Sequence, residues 1–188
     1  QAPEPPVQLR KSSLWPYTQG YTLFPMEKTT LPFWKTTGGT LGLAPPARHR
    51  WDNGNLQRKT FPANVYEGKN AFLWQGVIET KPELRCLLPA MYTRNIRPTH
   101  ISLYLQSLFP HQPLELEMRL EKQGHVLAKR RVHTFHSASQ RALLYLGKPT
   151  SLDGTELVLQ AVKTPPPRFQ LLLDDLRWYI SEHTLSVS

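Results

Sequence analysis

Two adjacent acidic residues, Asp174 and Asp175, stand in the middle of an apolar segment near the end of the chain. Side chains on a β-strand alternate between its two faces, so the two carboxylates should point in opposite directions. On this alternation Asp174 shares a face with Leu172 and Leu176. Because a bare buried charge is very costly, Asp174 must be protonated, hydrogen-bonded or paired with a cation.

The spacing of the reactive side chains argues against catalysis. Asp174 and Asp175 diverge, so they cannot flank one bond as the paired carboxylates of a glycosidase do. His133 and His136 also diverge on a strand, and no third zinc ligand accompanies them. The sequence contains no Gly-x-Ser-x-Gly, phosphate-binding or His-Glu-x-x-His motif. We therefore predict that the protein is not an enzyme.

Cys86 is the single cysteine of the 188 residues, so the chain has no internal disulfide. It shares a strand face with Leu84 and Leu88, which is typical of a small buried hydrophobic residue. No nearby residue in the sequence could act as a base and activate the thiol. We interpret Cys86 as structural.

The formal net charge is +9, from 23 Lys and Arg residues against 14 Asp and Glu residues. Such an excess attracts acidic partners, among them anionic polysaccharides, lipid headgroups and nucleic acids. The one local cluster, Lys129 to Arg131, alternates between strand faces and forms no continuous basic stripe. Since no nucleic-acid-binding motif is recognisable either, we do not expect a nucleic-acid partner. A solvated basic surface without a dedicated partner stays open.

Period-two patterning from residue 70 onward predicts the elements that position these side chains. It is clearest in Leu114–Glu121, where apolar residues alternate with charged ones, so the charged set should face water. Gln123–Gly124 predicts a turn, and His125–Phe135 should return as the partner strand of a hairpin. The other predicted strands of this region are 71–76, 83–88, 100–105, 141–146, 155–162 and 168–180.

No segment shows a sustained helical period, and Pro and Gly interrupt the chain too often for long helices. About ten short strands with regular turn signals indicate an all-β fold, a two-sheet antiparallel β-sandwich of jelly-roll type. Residues 1–13 are proline-rich and predict a tail or linker, and residues 14–188 predict a single domain.

No run approaches the ~20 apolar residues of a transmembrane segment. The chain begins at Gln1 with no charged and apolar leader, which indicates either a processed protein or a trimmed chain. Secretion through a removed signal peptide is compatible with the first alternative, and we expect an exported protein, whether secreted, periplasmic or at the cell surface.

The closing segment Phe169–Trp178 has an aliphatic run, an Asp-Asp pair and then alternating apolar residues. Near the start stand Phe24 to Glu27, Pro32 to Trp34, and the pair Gly38-Gly39. Together these segments resemble the pattern of jelly-roll carbohydrate-binding modules and their galactose-binding-like relatives. The resemblance covers most of residues 21–180, and it implies a non-catalytic carbohydrate-binding module of an exported or cell-surface protein.

The resemblance also implies a structural calcium ion where the first and last strands meet. Its implied ligands are Glu27 and Asp174, together with backbone carbonyls. Calcium prefers oxygen ligands and would neutralise an inward carboxylate. Alternatively, Asp174 accepts backbone N–H bonds or pairs with an arginine, and both interpretations stay open.

Sugar binding by such a sandwich uses aromatic rings that stack on pyranose faces and polar groups that bond the hydroxyls. Trp34 and Trp178 are predicted to lie in the core instead. The basic excess would favour an acidic or sulfated glycan over a neutral one. The candidate ligand-binding residues are aromatics outside the apolar rows or in loops, with polar companions: Trp51, Asn53, Tyr66, Trp74, Tyr92, Arg94, Tyr104, Arg141 and Tyr145.

The alternative function is a protein-docking module of a surface or secretion assembly, since the fold alone does not fix the function. The proline-rich tail is compatible with both functions. An exposed aromatic patch on one sheet would favour a glycan, and a flat apolar patch on an edge or end would favour a protein partner.

Overall fold

A computed structural model of the chain describes residues 20–44, 70–77, 81–108, 114–134, 140–163 and 168–180. Three of the predicted ligand-binding residues, Trp51, Asn53 and Tyr66, lie outside the described residues. The predicted tail, residues 1–13, also lies outside them. Among the described residues no helix has the length and apolar character needed to cross a membrane.

The described residues form eleven strands in two antiparallel sheets, which confirms the predicted β-sandwich. Within these residues the helical segments are a 3₁₀ turn at Leu31–Phe33 and a short α-helix, α1, at Ala90–Thr93. The strands are β1 Tyr21–Thr22, β2 Trp34–Thr37, β3 Gly39–Leu43, β4 Phe72–Val77, β5 Glu83–Leu87, β6 His100–Ser107, β7 Leu114–Lys122, β8 His125–Thr134, β9 Gln140–Tyr145, β10 Thr155–Lys163 and β11 Arg168–Tyr179.

The last strand, β11, lies at the centre of the six-stranded sheet. The strand order in this sheet is β3-β4-β11-β6-β9, and β1 pairs with the second half of β11. The five-stranded sheet has the order β2-β5-β10-β7-β8. The first and last strands therefore meet, as the sequence resemblance implied.

The alternating strand β7 shows how the core forms. Its apolar residues Leu114, Leu116, Met118 and Leu120 are fully buried between the sheets, and each such side chain stabilises the fold by roughly 1.5–3 kcal/mol. The predicted hairpin is confirmed, because β8 pairs with β7 along its whole length. Cys86 lies in the same core, where burial raises the pKa of its thiol, in agreement with a structural role.

The charged set of β7 does not simply face water, which corrects the expectation from the alternation. Arg119 and Glu121 are buried in an ion network on the outer face of the five-stranded sheet. The network joins the strands because Arg85 and Arg119 share one row across the sheet and the glutamates of β5, β7 and β10 lie in the rows on either side. Its contacts run from Arg119 to Glu121, Glu117, Glu83 and Gln160, and from Arg85 to Glu83, Glu121 and Glu156.

A β-bulge in β11 reverses the face alternation of its side chains. Asp174 pairs with Tyr104 of β6, but the next pair joins Arg177 to Ser102, so β11 has one extra residue. Asp175 takes the left-handed conformation, with φ of 56°, which Asp adopts more readily than most residues. Leu172 consequently lies outside the main core while Leu176 lies inside it. The predicted common face of Leu172, Asp174 and Leu176 is therefore wrong.

Candidate functional site

The outer face of the six-stranded sheet, turned away from the five-stranded sheet, combines aromatic and polar side chains. On β6, Ile101, Leu103 and Leu105 belong to the core, so the alternate residues of that strand point outward. One row across the sheet joins Asp174, Tyr104 and Arg141, and another joins Tyr179, His100 and Tyr145. Four predicted site residues, Tyr104, Arg141, Tyr145 and Asp174, therefore share this face.

Arg141 is held in place by a set of buried polar partners. Its Nη1 donates hydrogen bonds to the Ser102 hydroxyl at 2.7 Å and to the Asp175 carbonyl at 3.3 Å. Its Nη2 donates to the Asp175 carboxylate. The guanidinium also lies over the Tyr104 ring, 3.9 Å from the centroid, a cation–π contact. Arg141 and Tyr104 thus cover one another.

A second arginine, Arg177, also pairs with Asp175. Arg177 Nε donates to both carboxylate oxygens of Asp175, at 2.8 and 3.0 Å, and Arg177 Nη1 donates to the Gly20 carbonyl at 3.3 Å. Ser102 shares a further hydrogen bond of 2.8 Å with the Tyr179 hydroxyl. These contacts link β6, β9, β11 and the chain entering β1.

The electrostatics of this cluster favour its charged form. Burial disfavours the charge on Arg141, but interactions with Tyr179, Asp175 and Tyr104 hold the pKa of Arg141 above its usual value. Burial likewise opposes the charge on Arg177, but the hydrogen bond to Asp175, the Asp175 charge and Tyr179 together raise the Arg177 pKa. Burial also raises the pKa of Tyr179. Arg141 and Arg177 therefore stay positively charged beside Asp175 and stabilise the bulge of β11.

Tyr145 presents a fixed aromatic ring at the edge of the same face. One face of the ring stacks on His100, with ring centroids 4.8 Å apart and an interplanar angle of 28°. Its hydroxyl donates a hydrogen bond to the Gly147 carbonyl at 3.1 Å. The side chain is nevertheless 41% exposed, so the ring is positioned from one side and accessible from the other.

His100, beside Tyr145 on the neighbouring strand, is fully buried and itself fixed in position. Its Nδ1 shares a hydrogen bond of 2.8 Å with the Thr99 hydroxyl. Within the part of the chain that the structure describes, its Nε2 has no hydrogen-bond partner. Burial lowers the pKa of His100 to about 4. The imidazole is therefore neutral at neutral pH and supports Tyr145 as an uncharged ring.

Two predicted aromatic candidates belong to the interior instead. Trp74 was expected outside the apolar rows, but it is fully buried in the core, edge-on to Phe169 at 4.9 Å. Its Nε1 donates to the Thr36 hydroxyl at 3.1 Å, so the ring offers no face to a ligand. Tyr92, on α1, packs against the core, and its ring centroid lies 5.6 Å from that of Phe24.

The two tryptophans assigned to the core differ in exposure. Trp34 is buried in the core, as predicted. Trp178 is only partly buried, and it packs against the core on one side and against Tyr21 on the other, with ring centroids 4.9 Å apart. Tyr21 is 61% exposed. The remaining predicted polar companion, Arg94, is exposed directly after α1.

The two implied calcium ligands occupy different settings. Asp174 is buried, and its Oδ1 accepts a hydrogen bond of 2.8 Å from the Asp175 backbone N–H, which matches the alternative interpretation of this carboxylate. Glu27 lies in the loop after β1, where its carbonyl oxygen accepts backbone bonds from Thr30 and Leu31. Across the described ranges no group of three or more His, Cys, Asp and Glu side chains is arranged for a metal ion. Calcium binding stays a prediction that would need backbone oxygens as additional ligands.

Several residues of this face were absent from the sequence-based candidates. They surround Arg141 and Tyr145 and supply the contacts that hold both side chains. The alternation of polar and apolar residues on β6 is a signal for two of them, but the β-bulge conceals the others. The residues are His100, Ser102, Asp175, Arg177 and Tyr179.

No protein-family model matches the chain, and no curated protein is similar to it in sequence. Solved structures are similar in fold. A CBM22-1 xylan-binding domain from Paenibacillus barcinonensis gives a TM-score of 0.53 at 15% identity, over 88% of this chain and 97% of that domain. A C-terminal family 22 carbohydrate-binding module from Clostridium thermocellum gives 0.50 at 11% identity, over 88% and 96%.

A larger protein contains a similar domain. An exo-β-agarase gives a TM-score of 0.54 at 11% identity, over 87% of this chain and 25% of that protein. These similarities confirm the expected architecture, a two-sheet β-sandwich of jelly-roll type. At such low identity they establish the fold, and the ligand must be argued from the residues of this chain.

Proposed function

We propose that this protein is a non-catalytic carbohydrate-binding module of an exported or cell-surface protein. Its glycan binds at the outer face of the six-stranded sheet, with the exposed ring of Tyr145 as the stacking platform. The observation that carries this proposal is the geometry of that ring, whose inner face rests on His100 while its outer face is exposed. Aromatic rings of this kind bind sugars through the apolar faces of pyranoses.

The other surfaces of the described residues are less suitable for a sugar. The outer face of the five-stranded sheet has no Phe, Trp or Tyr ring within the described ranges, and its Arg85 and Arg119 are paired with glutamates of the same sheet. Tyr104 has one ring face covered by Arg141. Among the predicted aromatic residues that the structure describes, Tyr145 is the exposed one, since Tyr92 and Tyr104 are half-buried and Trp74 is buried.

The basic character of the chain supports an acidic glycan as the ligand. The net charge of +9 raises the local concentration of polyanions at the surface and increases association rates. The similar fold of a xylan-binding domain supports a polysaccharide as the class of ligand. The fold similarity to non-catalytic modules supports a role without catalysis.

The proposal is tested by a glycan array with the wild-type chain and two variants. Tyr145→Ala removes the platform, and Tyr21→Ala is the matched control, since Tyr21 is also an exposed tyrosine that stacks on one aromatic ring. Thermal unfolding of each variant checks that the fold persists. We expect glycan binding by the wild type and by Tyr21→Ala, and its loss in a folded Tyr145→Ala.

Two results would overturn the proposal. If the wild type bound no glycan, the protein-docking function would replace it. If Tyr145→Ala bound glycan as tightly as the wild type, the ligand would lie elsewhere on the domain.

A further inference from the structure

Two exposed cations, Arg97 and Lys148, stand on the two chain segments next to Tyr145. Arg97 lies in the loop between α1 and β6, three residues before His100, on which the Tyr145 ring stacks. Lys148 directly follows Gly147, whose carbonyl accepts the Tyr145 hydroxyl bond. Both cations therefore flank the proposed platform along the chain.

Backbone hydrogen bonds hold these two segments together. The Leu146 N–H donates to the Thr99 carbonyl at 2.8 Å, and the Thr150 N–H donates to the Pro98 carbonyl at 3.0 Å. Arg97 directly precedes Pro98, and a residue before proline is restricted to extended conformations. The turn with Lys148 is fixed by the Thr150 hydroxyl, which donates to the Lys148 carbonyl at 2.7 Å.

Within the described residues, neither cation has a carboxylate at ion-pair distance. Among the ion pairs of the described residues, none involves Arg97 or Lys148. The acidic residue nearest to Lys148 in the sequence is Asp153, whose carboxylate accepts a hydrogen bond from the Thr93 hydroxyl. Four arginines on the sheets behave differently, because Arg85, Arg119, Arg141 and Arg177 pair with carboxylates.

We propose that Arg97 and Lys148 form an anion subsite that binds the carboxylate or sulfate group of the sugar stacked on Tyr145. This inference rests on the proposed function and specifies its ligand as an acidic polysaccharide. A guanidinium can bind a carboxylate or sulfate through two parallel hydrogen bonds, and an ammonium adds a point charge. The aromatic ring then selects the pyranose face and the two cations select the charge.

The test compares acidic and neutral forms of the same backbones on one array. Suitable pairs are glucuronoxylan and xylan, polygalacturonate and its methyl ester, and sulfated and desulfated galactan. The variant Arg97→Gln/Lys148→Gln removes the subsite. The control Lys35→Gln/Lys129→Gln removes the same charge from exposed positions on the five-stranded sheet.

We expect the wild type to prefer the acidic form of a backbone, and the control to keep that preference. The subsite variant should lose about two- to fivefold in affinity for the acidic form per charge removed and bind the neutral form as before. Equal wild-type binding of both forms would overturn the inference while leaving the proposed function intact. An equal loss of preference in the control would assign it to net charge and overturn the inference. No binding to any form would overturn the proposed function and the inference with it.

Discussion

Replacing Arg141 with glutamine should destabilise the domain strongly, because Arg141 and Asp175 form a buried ion pair in the bulge of β11. Removing one partner of such a pair typically costs 3–5 kcal/mol, since the other charge stays buried. Asp175 would keep the Arg177 contact, which favours the low end of that range. We therefore expect the free energy of unfolding to fall by about 3 kcal/mol, including the lost contact with Tyr104.

Urea unfolding followed by tryptophan fluorescence measures this change. With a slope of about 2 kcal/mol per M, the unfolding midpoint of Arg141→Gln should fall by about 1.5 M. The matched control is Arg131→Gln, which removes an arginine that pairs with Glu115 but is 54% exposed. An exposed ion pair contributes at most about 1 kcal/mol, so the control midpoint should fall by less than about 0.5 M.

A double-mutant cycle separates the ion pair from other effects of the substitution. Asp175→Asn keeps the shape of the side chain and suits the left-handed backbone of the bulge, but it leaves two arginines side by side. If the pair is the cause, Arg141→Gln and Asp175→Asn together should cost less than the sum of their separate effects. Additive effects, or a midpoint for Arg141→Gln equal to that of Arg131→Gln, would refute the assignment of a buried ion pair.

Two further predictions concern His100 and the implied calcium ion. Because burial lowers the pKa of His100 from 6.5 to about 4, the unfolded chain binds a proton between these pH values that the folded chain does not. Stability should therefore fall by up to about 3 kcal/mol as the pH drops through this window. The urea midpoint of the wild type should accordingly be lower at pH 4.5 than at pH 7, and this difference should be smaller in His100→Asn. If Glu27 and Asp174 bind calcium, EDTA should lower the midpoint of thermal unfolding and added calcium should restore it. Asp174→Asn should make the midpoint insensitive to both reagents. A wild-type midpoint that EDTA leaves unchanged would contradict calcium binding.

The sandwich could be predicted because its strands have unequal faces. In Leu114–Glu121 every second residue is apolar, and only a strand with one buried face explains that spacing. The turn at Gln123–Gly124 then determines the hairpin, and both residues have the positive φ that the turn requires. The same regularity in several segments limited the fold to two packed antiparallel sheets.

The β-bulge could not be predicted, and it changed the interpretation of the most conspicuous motif. Alternation assumes one residue per position, but Asp175 and Leu176 together lie opposite Leu103. A glycine would have signalled the left-handed conformation, whereas an aspartate at this position is not diagnostic. Arg177 lies two residues from Asp175 on β11, so the local sequence indicates one partner, but Arg141 comes from β9 and no local pattern indicates it.

The exposure of an aromatic ring depends on the position of its strand in the sheet, which the sequence of a single strand does not contain. Trp74 and Tyr145 both occur in segments that are apolar on both faces, so alternation cannot orient either ring. Strand β4 lies between β3 and β11, and its Trp74 points into the core. Strand β9 is the edge of the same sheet, and its last residue, Tyr145, points outward beside a turn. A platform for a ligand therefore arises from an ordinary strand residue because the sheet ends there, and the proposed sugar site depends on that edge position.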